Sequence, residues 1–229
     1  MTPRPVKTLP AKTLRVFLIR HGRTALEGRY KGRLDLPLSP DGIKDMEGTA
    51  LVLRKILEAG RFRLKTLYAS DLARAIQSAE IIAGAFGIKK VTPMGLLRER
   101  AFGEWEGMRY DEIERLYPRE FGLWVKDPFA NKPVGGESSL AVKRRALTGI
   151  QEIISRSRPE GGAIAIVSHS GILRVLLCHF LGMPYKNIFR ADIGFGGLSL
   201  VELFDSGPGG KNPPCPVVRF MNLMPPIIQ

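Results

Sequence analysis

The chain has 229 residues, 44% hydrophobic and 25% charged, the balance of an ordinary globular protein with material for one fairly large domain or two small ones. Lys and Arg number 35 against 22 Asp and Glu, and the net charge of +13 points to an anionic partner: nucleic acid, a membrane surface or a phosphorylated metabolite. A solvated basic surface explains the total charge better than nucleic-acid binding does. The two cysteines, Cys178 and Cys215, belong to no CxxC pair, which argues against a disulfide framework and a zinc knuckle. No run approaches transmembrane length, and the Pro- and Lys-rich start lacks the apolar stretch of a secretory signal. A soluble protein of the reducing cytoplasm is expected.

Residues 1–13 read as a flexible basic tail, and 14–229 as one domain. LRVFLI (14–19) is a short β-rich run, so a buried strand. A Gly- and Arg-rich loop follows to residue 40. Ser39 can cap the next helix, with Pro40 at its first position; that helix runs from about Asp41 to Ala59 and stops at Gly60. TLYAS (66–70) is a second strand. Ser70 and Asp71 then open a helix with Leu72, Ile76, Ala79 and Ile82 at helical period, ending near Gly87. A short extended piece surrounds Val91. Residues 99–136 are aromatic, charged and less regular, and read as a cap. Residues 137–155 form an amphipathic helix with Leu140, Leu147, Ile150 and Ile154 inward. AIAIVS (163–168) is the strongest strand, and 171–182 a helix. Residues 198–203 and 216–223 are late edge strands or a hairpin joined by GPGGKNPP. Strands alternating with helices give an α/β fold, a three-layer sandwich with a mostly parallel central sheet.

Ligands in such sheets bind beyond the carboxyl ends of the strands. Three of those ends carry unusual residues: Arg20 and His21 after the first strand, Arg74 on the helix after the second, and His169, Ser170 and Gly171 after the fourth. Two arginines, two histidines and a helix N-terminus suit a dianion, because guanidinium forks and free N–H groups match phosphate oxygens. A neutral imidazole there can act as a nucleophile, with the cations stabilising the transferring phosphoryl group. An acid must then protonate the leaving alkoxide. LRERAFGEWEG offers Glu99, Glu104 and Glu106, and composition does not choose among them. His179, inside a helix, reads as a packed or partly exposed helix residue.

At this point the match becomes specific. LIRHGRT resembles the RHGxT signature of the histidine phosphatase superfamily, which includes the cofactor-dependent phosphoglycerate mutases. GRLDLPLSPDG, SDLARAIQSAE, LRERAFGEWEG and VSHSGILR resemble four further motifs of that family, in the same order. The resemblance spans about Leu14 to Leu223. It implies a phosphoglycerate-mutase-like fold with a small inserted cap. It makes His21 the nucleophile that becomes phosphohistidine, and gives the phosphoryl group to Arg20, Arg74 and His169. Glu99 takes the acid/base position, with Thr24 and the Ser170 N–H as helpers. It implies no metal and no cofactor, because the cationic pocket takes the part of a metal ion.

The family often reads RHGxTxxN, and here Glu27 stands in place of the Asn. Two readings stand: Glu27 turns away toward Arg29 or Arg33, or it meets a cationic or hydroxyl group of the substrate. Glu27 and Arg33 are therefore candidate substrate-selecting residues. Lys31 stands where Gln is common and adds a charge at the mouth. Trp105 and Phe102 read as packing under the loop, and Trp124, Tyr110, Tyr117, Arg109 and Arg115 as substrate-facing. Three functions are weighed. A phosphomonoester hydrolase acting on a small phosphorylated metabolite is favoured, because Ala25, Leu26 and Glu27 replace the Trp-Asn expected of a mutase. The layout is close to the broad-specificity and α-ribazole phosphatases. A phosphoglycerate mutase is the second reading. The third, a nucleic-acid-binding protein with a relic site, predicts basic residues clustered on one face; here they are dispersed, with one modest cluster at Lys143–Arg145 and another in the tail. No membrane partner is expected. The late edge strand at 216–223 could pair in a homodimer.

Overall fold

The structure, a computed structural model, describes residues 13–158, 162–204 and 215–225. The expected basic tail, Thr13 apart, and the GPGGKNPP connection lie outside those residues. The elements run β1 (Leu14–Arg20), α1 (Pro40–Ala59), β2 (Leu64–Ala69), α2 (Ala73–Phe86), β3 (Val91–Pro93), α3 (Tyr110–Leu116), α4 (Pro118–Lys126), α5 (Ser139–Ser157), β4 (Gly162–Ser168), α6 (Ser170–Phe180), β5 (Leu198–Phe204) and β6 (Cys215–Leu223). They build a six-stranded sheet in the order β3-β2-β4-β1-β5-β6. The pairs β1–β4, β4–β2 and β2–β3 are parallel, while β5 and β6 are antiparallel to their neighbours.

Alternation along the central strands divides the core. Leu14, Val16 and Leu18 of β1 and Ile164 and Ile166 of β4 pack with α5 and α6. Phe17 and Ile19, with Ala163, Ala165 and Val167, face α1 and α2. Both faces are covered, so these strands are apolar throughout, as parallel strands between helical layers must be. The expected three-layer sandwich is the fold the chain adopts.

Parallel pairing brings the functional strand ends together. Ile19 lies opposite Val167 and Arg20 opposite Ser168, while Ala69 of β2 also lies opposite Val167. The residues that follow these positions, His21, His169 and Ser70, therefore share one edge of the sheet. Between β3 and α5 lies the segment read as a cap, with a core of its own: Trp105, Ile113 and Phe121, flanked by Tyr30, Phe102, Met108, Tyr117 and Trp124. No described helix is long and apolar enough to cross a membrane.

Three local expectations need correction. Ser70 and Asp71 do not open α2, which starts at Ala73 after Leu72 with no side-chain cap. The Asp71 carboxylate instead takes two bonds from Arg98, at 2.7 and 2.6 Å. In α5 the buried face is Val142, Ala146, Ile150 and Ile153, and Leu140 in its first turn is 56% exposed. The basic run 143–145 is not a free patch, because Arg145 turns inward. Ser39 does cap α1, accepting from Gly42 N at 3.1 Å.

Candidate active site

His21 sits one residue beyond β1, 4% exposed. Its Nδ1 lies 2.7 Å from the Gly22 carbonyl oxygen, and its Nε2 lies 3.3 Å from Arg74 Nε. A carbonyl only accepts and an Arg Nε–H only donates. Nδ1 therefore carries the proton and Nε2 the lone pair. Burial, then the charge of Arg74, pushes the His21 pKa well below 6.5, against the Gly22 bond that favours the charged form. A neutral imidazole with its Nε2 lone pair toward the Arg74 guanidinium is the form a phosphoryl acceptor needs. Gly22 is required by a close approach: a Cβ there would lie 2.2 Å from Gly42 O.

Arg74 reaches His21 from the first turn of α2 and is itself buried. Its two terminal nitrogens donate to Leu34 O at 2.6 Å and Gly32 O at 2.7 Å, so the loop after β1 fixes its fork. Ser78, one turn on, accepts from Gly22 N and donates to Arg74 O, tying helix and loop together. Arg20 donates to Ile193 O at 2.5 Å, and its guanidinium carbon lies 3.7 Å from the Phe195 ring centre. Burial lowers Arg20 to about 10, with Glu99 opposing the drop and Arg174 and Arg74 adding to it. The buried Arg20 Nε has no hydrogen-bond partner among the described residues.

His169 caps α6 and is fully buried, its ring centre 5.0 Å from that of His21. Burial first, then the nearness of the His21 imidazole and the charge of Arg74, holds its pKa well below 6.5. Its Nε2 is 2.8 Å from Ser70 Oγ, while its buried Nδ1 has no hydrogen-bond partner among the described residues. Glu99 lies across the cavity. Its carboxylate accepts from Arg100 N at 2.9 Å and from Gly171 N at 3.1 Å. Its backbone is held by Arg145, which donates to Leu96 O, Arg98 O and Glu99 O while pairing with Glu137 at 2.7 Å.

A cavity of about 410 Å³ joins these groups, lined among others by Arg20, His21, Arg74, Glu99 and Ser170. Of the three glutamates left open by the sequence, Glu99 alone is on its wall. Glu104 accepts from Tyr117 OH, and Glu106 from the backbone of Arg33 and Phe102. Thr24 is off the wall; its buried hydroxyl donates to Ala25 O, so it shapes the loop. Glu27 is exposed and also off the wall, its charge acting on Arg23 and Lys31. It does not turn to Arg29 or Arg33, which pair with Glu112 and Glu137. Arg33 does not line the cavity either, so the pair expected to select substrate stands outside it. Lys31 and Trp124 do line it, and so does Phe102, which also packs against the Trp105 cluster as read from the sequence; Tyr110, Tyr117, Arg109 and Arg115 do not. Trp105 is cap core, and His179 is an exposed helix residue, both as read. Sequence reasoning missed Ser70, Arg145 with Glu137, and Phe195. Among the described residues no cluster of three or more His, Cys, Asp or Glu could hold a metal ion.

Residues 16–211 match the model of the histidine phosphatase superfamily (branch 1). The chain belongs to that family. A phosphoserine phosphatase 1 of Hydrogenobacter thermophilus is 31% identical over 192 residues, covering 83% of this chain and 87% of that one. A glucosyl-3-phosphoglycerate phosphatase of Mycolicibacterium vanbaalenii is 31% identical over 199 residues, 82% of this chain and 83% of the other. A solved structure described as mycobacterial hydrolase 2 superposes with a TM-score of 0.81 at 23% identity, over 95% of this chain and 94% of that one, and so shares the fold. The histidine phosphatase family recognised in the five sequence motifs is the one the comparisons return, and these curated relatives are phosphatases.

Proposed function

We propose that this histidine phosphatase is a phosphoric monoester hydrolase acting on a small phosphorylated metabolite through phosphohistidine at His21. The observation that carries the reading is the tautomer of His21: Nδ1–H is tied to Gly22 O and the Nε2 lone pair faces the cationic end of the cavity. Nε2 attacks phosphorus as the ester P–O bond breaks, and Glu99 gives a proton to the departing alkoxide. Water then attacks the phosphohistidine, giving a proton to Glu99, and phosphate leaves with His21 neutral again. Arg20 and Arg74 neutralise the equatorial oxygens, while neutral His169 and the N-terminus of α6 at Ser170 give them hydrogen bonds, work that needs no redox chemistry.

Hydrolysis of p-nitrophenyl phosphate in EDTA by wild type beside His21→Ala tests this. The wild type releases phosphate and the variant does not. Isomerisation of 3-phosphoglycerate faster than its hydrolysis would move the assignment to a mutase. A buried free thiol at Cys178 and a metabolite substrate fit a cytoplasmic location. The edge position of β6, with Met221 and Leu223 each 42% exposed, fits pairing in a homodimer, which sedimentation as a monomer would rule out.

A further inference from the structure

The cavity holds more positive charge than one phosphoryl group uses. Among the described residues six cationic side chains line it against the single carboxylate of Glu99. Arg29 pairs with Glu112 at 3.0 Å, and Arg100 gives all three nitrogens to the carbonyls of Glu137, Pro128 and Asn131. Arg20, Arg74 and Lys31 gather at His21, where each weighs on its pKa. Arg174 is left over. Its Nε donates to Ala191 O at 2.7 Å, which fixes the guanidinium. Its Nη2 stands 3.7 Å from Asp192, whose side chain is 88% exposed, so solvent screens that pair.

Arg174 stands four residues after Ser170, about 6 Å further along α6. Ser170, Gly171, Arg174 and Val175 present one face of the helix to the cavity. Val175, Ile188 and Phe189 make the wall beside Arg174 apolar, and its guanidinium carbon is 5.8 Å from the Phe189 ring centre. A guanidinium anchored by one N–H against an apolar wall is a strong binder of carboxylate or phosphate. We infer that the alcohol released by this enzyme carries a second anionic group, a carboxylate or a phosphate, which Arg174 binds about one helical turn from the phosphoryl site. The inference rests on the hydrolase reading of the cavity.

Three matched esters test it: propyl phosphate, 3-phosphooxypropanoate and propane-1,3-diyl bisphosphate, each given to wild type, Arg174→Gln and Arg174→Lys. Wild type should favour the carboxylated or the bisphosphate ester over propyl phosphate by about tenfold or more in kcat/KM, mostly through KM. Which of the two wins identifies the anion. Arg174→Gln should bring that ratio to about one, and Arg174→Lys should restore part of it. A purely structural Arg174, pinning Ala191, would lower activity on all three esters together and leave the ratio standing, which overturns the inference. So does a wild type with no preference. Calorimetric binding of the same esters to His21→Ala reads the subsite without turnover. If no ester is hydrolysed but the Arg174-dependent binding preference is present, the subsite stands and the hydrolase reading falls. Equal binding of the three esters overturns the subsite.

Discussion

Gly171→Ala separates the acid role of Glu99 from the stability of the fold. Gly171 lies in the first turn of α6 with an ordinary backbone, and its N–H donates to Glu99 Oε2 at 3.1 Å. A Cβ added there would sit 2.4 Å from Glu99 Oε1, where ordinary contact begins near 3.4 Å. The carboxylate must move by about 1 Å, enough to break its bond to the helix. A displacement of that size at a catalytic group costs about a hundredfold in rate, roughly 2.7 kcal/mol of transition-state stabilisation. Removing a helical glycine favours the helix by about 1 kcal/mol, so melting should not fall in step. The assay is steady-state kinetics on propyl phosphate and p-nitrophenyl phosphate, with Glu99→Gln alongside. The alkoxide needs a proton and the nitrophenolate leaves without one. In kcat/KM, which stops at formation of the shared phosphohistidine, both variants should therefore lose about a hundredfold on the alkyl ester and far less on the aryl ester. Equal losses of kcat/KM on the two esters, or no loss, would refute Glu99 as the acid that Gly171 makes room for.

Both site histidines, held neutral by burial, should make the fold sensitive to acid. Their folded pKa values lie below 6.5, so the unfolded chain binds more protons as pH falls below that value, and stability drops by up to about 1.4 kcal/mol per pH unit for each histidine. The urea midpoint should be lower at about pH 5.5 than at about pH 7.5; equal or rising midpoints contradict this. Ser70→Ala removes the 2.8 Å partner of His169 Nε2 and should cost about tenfold in kcat/KM with melting nearly unchanged; full activity would remove Ser70 from the site. Trp105→Ala empties the centre of the cap core and should cost about 3–5 kcal/mol, lowering the melting temperature by about 6–20 °C in a calorimetric scan.

The two site histidines are legible because chemistry-bearing residues at the ends of apolar runs have few other reasons to be there. His21 and His169 follow runs of four or more apolar residues, and parallel register then places them together. Glu99 could be singled out only in three dimensions, because Glu104 and Glu106 occur in the same short stretch and differ only in where the turn at Gly103–Trp105 sends them. Ser70 was read as a helix-opening residue because Ser-Asp after a strand is also a capping pattern. Its short bond to His169 depends on β2 and β4 being neighbours, a long-range fact. Arg145 looked like part of a basic surface run, since nothing local says that Glu137 and the carbonyls of 96–99 await it. Leu140 shows the limit of periodicity: Leu140, Leu147 and Ile154 recur every seven residues but flank the buried stripe of Val142, Ala146, Ile150 and Ile153, so the first is left in solvent and the other two are half-buried. Phe195 sits in the turn before β5, where a Gly-flanked aromatic was the only signal.

The central claim is a covalent phosphoryl group on His21. Wild type mixed with ³²P-labelled ester, quenched within one turnover and digested, should give one labelled peptide, the one containing His21, with the label stable in base and lost in acid as phosphohistidine requires. His21→Ala should give no label and no turnover. Label on another residue, or turnover in His21→Ala, would contradict the account.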